Sequence, residues 1–243
     1  MATIITEQKK IFETKRNDFW WIEPAAVAIG LILFIIYASW AALQGKDYEW
    51  GPYMSPFYSP VITVHWWKFS PVFLVIWVPA GFRFTCYYFR RAYYRAYFMD
   101  PPACAVSEYC KKYKGENSFP FILQNLHRYF LYFATFLIFF HWHDAYHSFN
   151  FDGQFGIGVG SLVLLADVIL LSLYIISCHA CRHLIGGCLD SFKLKTHHNF
   201  YLLISKLNER HMFWAWSSLF MVGFADFYVR MLSMGIWTDV RIF

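Results

Sequence analysis

The sequence predicts an all-α membrane protein of five transmembrane helices, with the N-terminus cytoplasmic and the C-terminus outside. Three observations predict it. Of the 243 residues, 58% are hydrophobic and 23% aromatic, while only 15% are charged, against about a quarter in soluble domains. Five stretches offer the roughly 20 apolar residues that a bilayer crossing needs: 24–43, 63–89, 121–142, 156–179 and 211–232. Lysine and arginine concentrate in alternate connections between them.

Residues 1–23 form a cytoplasmic N-terminal segment carrying Lys9, Lys10, Lys15 and Arg16, followed by a transmembrane domain over 24–232. No short apolar run with a small-residue cleavage site precedes Pro24, so no removable signal peptide is expected. The first outer connection offers Lys46 alone. The second span holds Lys68, Pro71, Pro79 and Arg83. It is expected to begin in the outer interface and to bend, since neighbours can satisfy the carbonyls that proline frees. The cytoplasmic loop 90–120 carries Arg90, Arg91, Arg95, Lys111, Lys112 and Lys114, whereas the outer "HDAYHSFNFDGQFG" has neither Lys nor Arg. The fourth span opens with "GIGVG". No strand precedes it and no Lys-Ser follows, so it does not read as a phosphate loop. Gly156 and Gly160 read as a small-xxx-small face that lets two helices approach. The loop 184–210, with Lys193, Lys195, Lys206 and Arg210, is again cytoplasmic, and 233–243 is an outer tail. The positive-inside rule sets this orientation, and "FWW" at 19–21 and "HWW" at 65–67 fit interfacial belts. The net charge of +5 is loop charge. It makes lipid, not nucleic acid, the expected neighbour.

Cys86, Cys104, Cys110, Cys178, Cys181 and Cys188 all fall on the cytoplasmic side, where a reducing compartment leaves them as thiols or ligands. The cytoplasmic ends of the spans read "RFTCYYFRR", "NLHRYF", "SCHACRH" and "NERHMFWAW". Together they gather Cys86, His127, Cys178, His179, Cys181, His183 and His211 at one depth, beside Arg83 and Arg128. Four such groups in six residues at a membrane boundary, where uncompensated polarity is costly, point to ligation. Cys104, Cys110, Cys188, His197 and His198 read instead as ordinary loop residues. On a straight helix Cys178 and Cys181 lie within about 60° of each other, and His179 and His183 within about 40°, with the two pairs on different faces. Partners from other spans are therefore expected.

The residues leave the metal open. Four Cys/His ligands suit a closed structural zinc. Two thiolates with two imidazoles suit a Rieske-type [2Fe–2S] centre, and "CRH" has the Cys-x-His spacing of such loops. Haem b would need imidazoles facing one cavity, and the first span has no histidine. The outer His65, His141, His143 and His147 read as interfacial groups bonding to Asp144 and headgroups. A di-iron site from 143/147 and 179/183 would join residues on opposite sides of the bilayer.

At these residues a resemblance appears. "TCYYFRRAYYRAYF", "PPACAV", "ILQNLHRYF", "SCHACRH", "LNERHMFWAW" and "ADFYV", spread over roughly 80–232, resemble the single-chain five-span anchor of the haem-free succinate dehydrogenases typified by mycobacteria. The resemblance implies a subunit of a succinate:quinone oxidoreductase in the bacterial cytoplasmic membrane. Such an anchor is not catalytic alone. It docks a flavoprotein subunit and an iron–sulfur subunit, and it holds a Rieske-type [2Fe–2S] cluster that reduces menaquinone or ubiquinone. In the related two-haem anchors the inner ligands come from the second and fourth spans, where this chain has Cys86 and thiols mixed with imidazoles. The first expected ligands are Cys178, Cys181 and His183, then His179, His127 and Cys86, so that removing His183 should abolish electron delivery. Quinone carbonyls need donors and a flat aromatic wall, for which Arg83, Tyr87, His127, Arg128, His211 and Trp214 are the candidates. The stretch "FMDPPACAVSEYCKKYKGENSFPF" is too long and mixed for a simple turn and is expected to meet a soluble partner.

Overall fold

The computed structural model describes residues 11–108, 115–119, 121–187, 189, 191 and 193–243. Lys9, Lys10, Cys110, Lys111, Lys112, Lys114 and Cys188 lie outside the described residues. The chain is mostly helical: α1 (Ile22–Gln44), α2 (Trp77–Thr85), α3 (Tyr87–Tyr93), α4 (His127–His147), α5 (Val159–Ile176), α6 (His179–Gly186), α7 (Lys195–Asn208) and α8 (His211–Ser233). Among the described residues three helices are long and apolar enough to cross a membrane: α1, α5 and α8. The 21-residue α4 interleaves its phenylalanines with tyrosines and histidines, which lower its hydropathy.

Helix α1 admits Pro24 in its first turn, where no intrahelical N–H is lost, and stops at Gly45, whose φ of 62° is left-handed. Its Ile29, Leu33 and Ile36 are exposed, the pattern of a face turned to lipid. α5 and α8 pack against each other, and α4 packs on both α5 and α2. Their shared core holds Val78, Phe82, Leu131, Ala134, Tyr174 and Leu219. Gly81 of α2 admits the Phe130 ring of α4 so closely that a Cβ there would fall 2.2 Å from Cε1.

The second apolar stretch differs from the sequence expectation. Instead of one bent helix from residue 63, it has no helix before a 3-10 turn at Pro71–Leu74, then α2, and then a break at Cys86 (φ −65°, ψ 123°). Pro71 and Pro79 lack the N–H that a continuous helix needs. Thr85 Oγ1 donates to the carbonyl of Gly81 at 2.7 Å, a back-bond that bends helices. After the break α3 runs into a π-helical turn, Tyr94–Phe98, that ends at left-handed Met99 ahead of Pro101 and Pro102.

Two small hairpins were not read from the sequence. β1 (Glu49–Trp50) pairs with β2 (Tyr53–Met54), and β3 (Asn150–Phe151) with β4 (Gln154–Phe155), both antiparallel. The second turns through Asp152 (φ 51°) and Gly153 (φ 87°). Asp-Gly between hydrophobic residues is the usual two-residue hairpin signal, and "FDGQF" carried it. The first hairpin also corrects the reading of "GIGVG". The close neighbour of Gly160 is the ring of Tyr53, 2.4 Å from where a Cβ would sit, and that of Gly156 is Arg241 with Phe151. The nearest atoms to both glycines thus come from the hairpins and the C-terminal tail. The C-terminal tail folds back onto this corner. Asp239 accepts hydrogen bonds from Tyr53 Oη, Tyr228 Oη and the Gly160 amide at 2.6, 2.7 and 3.0 Å.

At the other end residues 13–16 are bonded to the 104–107 loop: Glu13 N donates to Ser107 Oγ, Thr14 Oγ1 to the Ala105 carbonyl, and Arg16 Nη1 to the Cys104 carbonyl. Arg90 contacts Gln124 and Glu116, which ties α3 to the segment leading into α4.

Candidate metal centre

Two helix interruptions build the site. Cys86 stands between α2 and α3, and Cys178 between α5 and α6 with φ −64° and ψ 141°. Each is extended, each precedes the first residue of the next helix, and each is 1% exposed. The break at Cys178 removes it from the helix of Cys181 and His183, so the angular relations of a straight helix do not apply between them.

Each cysteine meets a histidine from a different helix. His127 Nε2 lies 3.0 Å from Cys178 Sγ, and His211 Nε2 lies 3.2 Å from Cys86 Sγ. The opposite ring nitrogens are held by hydroxyls: Thr85 Oγ1 is 2.9 Å from His127 Nδ1, and Ser177 Oγ is 2.7 Å from His211 Nδ1. The arrangement is reciprocal. Thr85 precedes Cys86 but holds the histidine of Cys178, while Ser177 precedes Cys178 but holds the histidine of Cys86. Ring stacking supports both imidazoles, with His127 on Phe82 at 4.8 Å and 9°, and His211 on Tyr174 at 5.0 Å and 23°. Phe82 and Tyr174 meet at 5.2 Å. Asn208 Nδ2 donates to the Ser177 carbonyl at 2.7 Å and fixes that break from α7.

Around this core the remaining candidates fall into place by contact. His183 Nδ1 faces Arg128 Nη2 at 3.1 Å. Cys181 packs partly buried against the same apolar cluster as Cys86 and Cys178. Cys86, His127, Arg128, Cys178, His179 and His183 all line a cavity of about 300 Å³, with Tyr87 at its wall. Arg83 donates to the Ala215 carbonyl at 2.7 Å and to Ser218 Oγ at 2.9 Å, and lies over the Tyr174 ring. Trp214 Nε1 is buried and has no hydrogen-bond partner.

Sequence reasoning set Cys181 and His183 ahead of His127 and Cys86, and read His211 as a quinone donor. The structure brings together Cys86, Cys178, His127 and His211, because the chain breaks aim both thiols inward. It also uncovered Thr85 and Ser177. Their signal was the hydroxyl residue before a cysteine in both "TCYY" and "SCHA". Among the described residues no three His, Cys, Asp or Glu side chains converge as on a single metal ion. At the opposite end of α4 His143 Nδ1 is 3.3 Å from Asp144, Asp144 also contacts Ser59, and His65 is exposed.

A model of the actinobacterial succinate dehydrogenase subunit SdhC family matches residues 22–235. The chain is also similar to a chain of the Mycobacterium smegmatis Sdh1 complex in the apo form, at 38% identity over 98% of this chain and 97% of that one, with a TM-score of 0.89. No curated protein matches it. The chain is a membrane-anchor subunit of a succinate dehydrogenase complex and belongs to the actinobacterial SdhC family.

Proposed function

We propose that this subunit crosses the bacterial cytoplasmic membrane five times, with the N-terminus inside, and carries electrons from a partner iron–sulfur subunit to a quinone through a Rieske-type [2Fe–2S] cluster. Cys86, Cys178, His127 and His211 would hold it. The supporting observation is the set of two buried thiols and two imidazoles held at the two helix breaks. Its donor set is that of a binuclear cluster, which takes two thiolates at one iron and two imidazoles at the other. A single four-coordinate zinc would draw all its donors to one point.

When bound, the cluster would supply a one-electron relay whose imidazole ligands raise its potential above that of all-cysteine clusters. The chain does the rest. Thr85 and Ser177 fix the orientation of each imidazole, as outer partners do for histidine ligands generally. Phe82 and Tyr174 wall the rings from lipid. Arg128 and His183 at the cavity, with Tyr87 beside them, offer donors and an aromatic surface to a quinone head. Trp214, whose buried N–H lacks an acceptor, and Arg83 are further donors. The flavoprotein and iron–sulfur subunits dock on the cytoplasmic loops, and succinate is oxidised in the flavoprotein.

The test is metal analysis with EPR on the purified, dithionite-reduced complex. A Rieske-like signal with two irons beyond the partner subunits' content supports the reading. Stoichiometric zinc without the signal, or haem Soret and α bands in the optical spectrum, overturns it.

A further inference from the structure

Arg91 and Arg95 stand about one turn apart where α3 runs into its π-helical turn. Both line a cavity of about 430 Å³ between α1, α3 and α8, and Glu23, in the first turn of α1, lines it too. Their neighbour Arg90 is engaged by Gln124 and Glu116 and lies over the Tyr87 ring at 4.8 Å. Arg91, by contrast, is exposed, and Arg95 Nη2 has only a long contact, 3.9 Å, to Cys104 Sγ. Among the described residues neither arginine forms an ion pair, with Glu23 or with any other acid.

The rest of the wall is apolar: Val27 of α1, Ala92 of α3, and Met212, Phe213 and Trp216 of α8. From Phe213 a stripe continues along α8 through Trp216, Phe220 and Phe224, a spacing that keeps all four on one face of the helix. Phe213, Phe220 and Phe224 are exposed, and the Trp216 ring stacks on Phe220 at 5.8 Å and 24°. The stripe rises about 16 Å, roughly half of the hydrocarbon core and so the depth of one leaflet. α8 itself is long and apolar enough to cross a membrane.

We propose that this cleft binds an anionic glycerophospholipid, its phosphodiester between Arg91 and Arg95 and an acyl chain along the α8 stripe. Guanidinium forks match phosphate oxygens, and basic pockets between membrane helices are where anionic headgroups bind. Two arginines with Glu23 leave one net positive charge, which balances the single negative charge of a phosphodiester. A free phosphate carries more charge and would bring the excess against Glu23. A carboxylate from a soluble partner would balance the arginines but leave the apolar wall and the stripe uncovered. The lipid braces α3, which follows Cys86, against the start of α8, which His211 opens. The proposal is independent of what the Cys/His site holds.

The experiment is native mass spectrometry, with thermal unfolding, of the complete complex stripped of lipid in mild detergent. It is titrated with dioleoyl phosphatidylglycerol, with dioleoyl phosphatidylcholine or with inorganic phosphate. The wild type should retain phosphatidylglycerol over phosphatidylcholine and be stabilised by it, and inorganic phosphate should do neither. Arg91→Gln and Arg95→Gln should each weaken phosphatidylglycerol about fivefold, the effect of one cation beside an anionic lipid. Glu23→Gln should tighten it. Equal retention of the two lipids, or the same stabilisation by inorganic phosphate, overturns the proposal. If an arginine variant does not assemble, Glu23→Gln decides, since an unchanged affinity there overturns the proposal by placing the headgroup elsewhere. An Arg91→Gln complex that sheds its soluble subunits but binds phosphatidylglycerol like the wild type assigns the arginine to a protein partner, and this too overturns it.

Discussion

His127 Nε2 lies 3.0 Å from Cys178 Sγ although 51 residues separate them in the chain. The contact exists because α4 begins at the level where α5 has just ended, and because the break at Cys178 turns its side chain from the helix axis toward α4. The matching contact of Cys86 with His211 spans 125 residues. Two thiol–imidazole contacts thus tie the two helix breaks to α4 and α8.

Ligand removal is the sharpest test. Cys178→Ser and His127→Ala should each abolish the Rieske-like EPR signal and quinone reduction. Succinate oxidation by an artificial acceptor should persist, because the flavin belongs to another subunit. His183→Ala, which loses a contact to Arg128, should keep the signal. Phe136 is 60% exposed, and Phe136→Leu serves as the lipid-face control. Loss of the signal in His183→Ala together with its retention in His127→Ala would restore the ligand order expected from the sequence.

The hydroxyls should matter less than the ligands but measurably. Thr85→Val and Ser177→Ala remove the partner of an imidazole Nδ1. Loss of such an outer partner typically costs about 10–100-fold in metal affinity or activity. A redox titration followed by EPR should show a shifted midpoint in both variants, while Thr85→Ser retains the wild-type value. Identical midpoints across all three would rule out this orienting role.

Gly81 is a packing requirement. A Cβ there would lie 2.2 Å from Phe130 Cε1, so Gly81→Ala must push α2 from α4 or force the ring off its rotamer. Overpacking of this kind costs about 1–3 kcal/mol. The variant should lower the thermal midpoint of the detergent-solubilised complex, and Phe130→Leu should recover part of it. An unchanged midpoint in Gly81→Ala would show that the ring yields freely.

The Asp226–Arg230 pair should respond unequally to its two removals. Both side chains are fully buried, with Nε–Oδ2 at 3.4 Å. Arg230→Met leaves Asp226 with Tyr37 and Ser55 as donors. Asp226→Leu leaves a buried guanidinium with the Lys46 carbonyl at 2.9 Å and the Trp40 ring. Breaking a buried pair from one side costs about 3–5 kcal/mol, whereas replacing both partners by apolar groups is often neutral. Asp226→Leu should therefore be the more damaging in thermal assays, with the double variant closer to wild type. Equal losses in all three would deny the coupling.

Composition, with apolar stretches of span length, was enough to make this a helical membrane protein, because 58% hydrophobic residues with few charges do not form a water-soluble surface. Residue pattern also drew the thiols and imidazoles toward one end of the helices, since that inference needs only the helix ends and the side on which each emerges. It could not choose among them. An α-helix read from sequence is straight, and the choice depended on two breaks, at Cys86 and Cys178, that bring each thiol against a ring from another helix. For the same reason the partners of Gly160 and Asp239 were invisible, because Tyr53 and the folded-back tail reach them through space. Periodicity along a chain reports which face of a helix is apolar. Which side chain stands opposite a given atom across 51 or 125 residues is settled by how the helices pack.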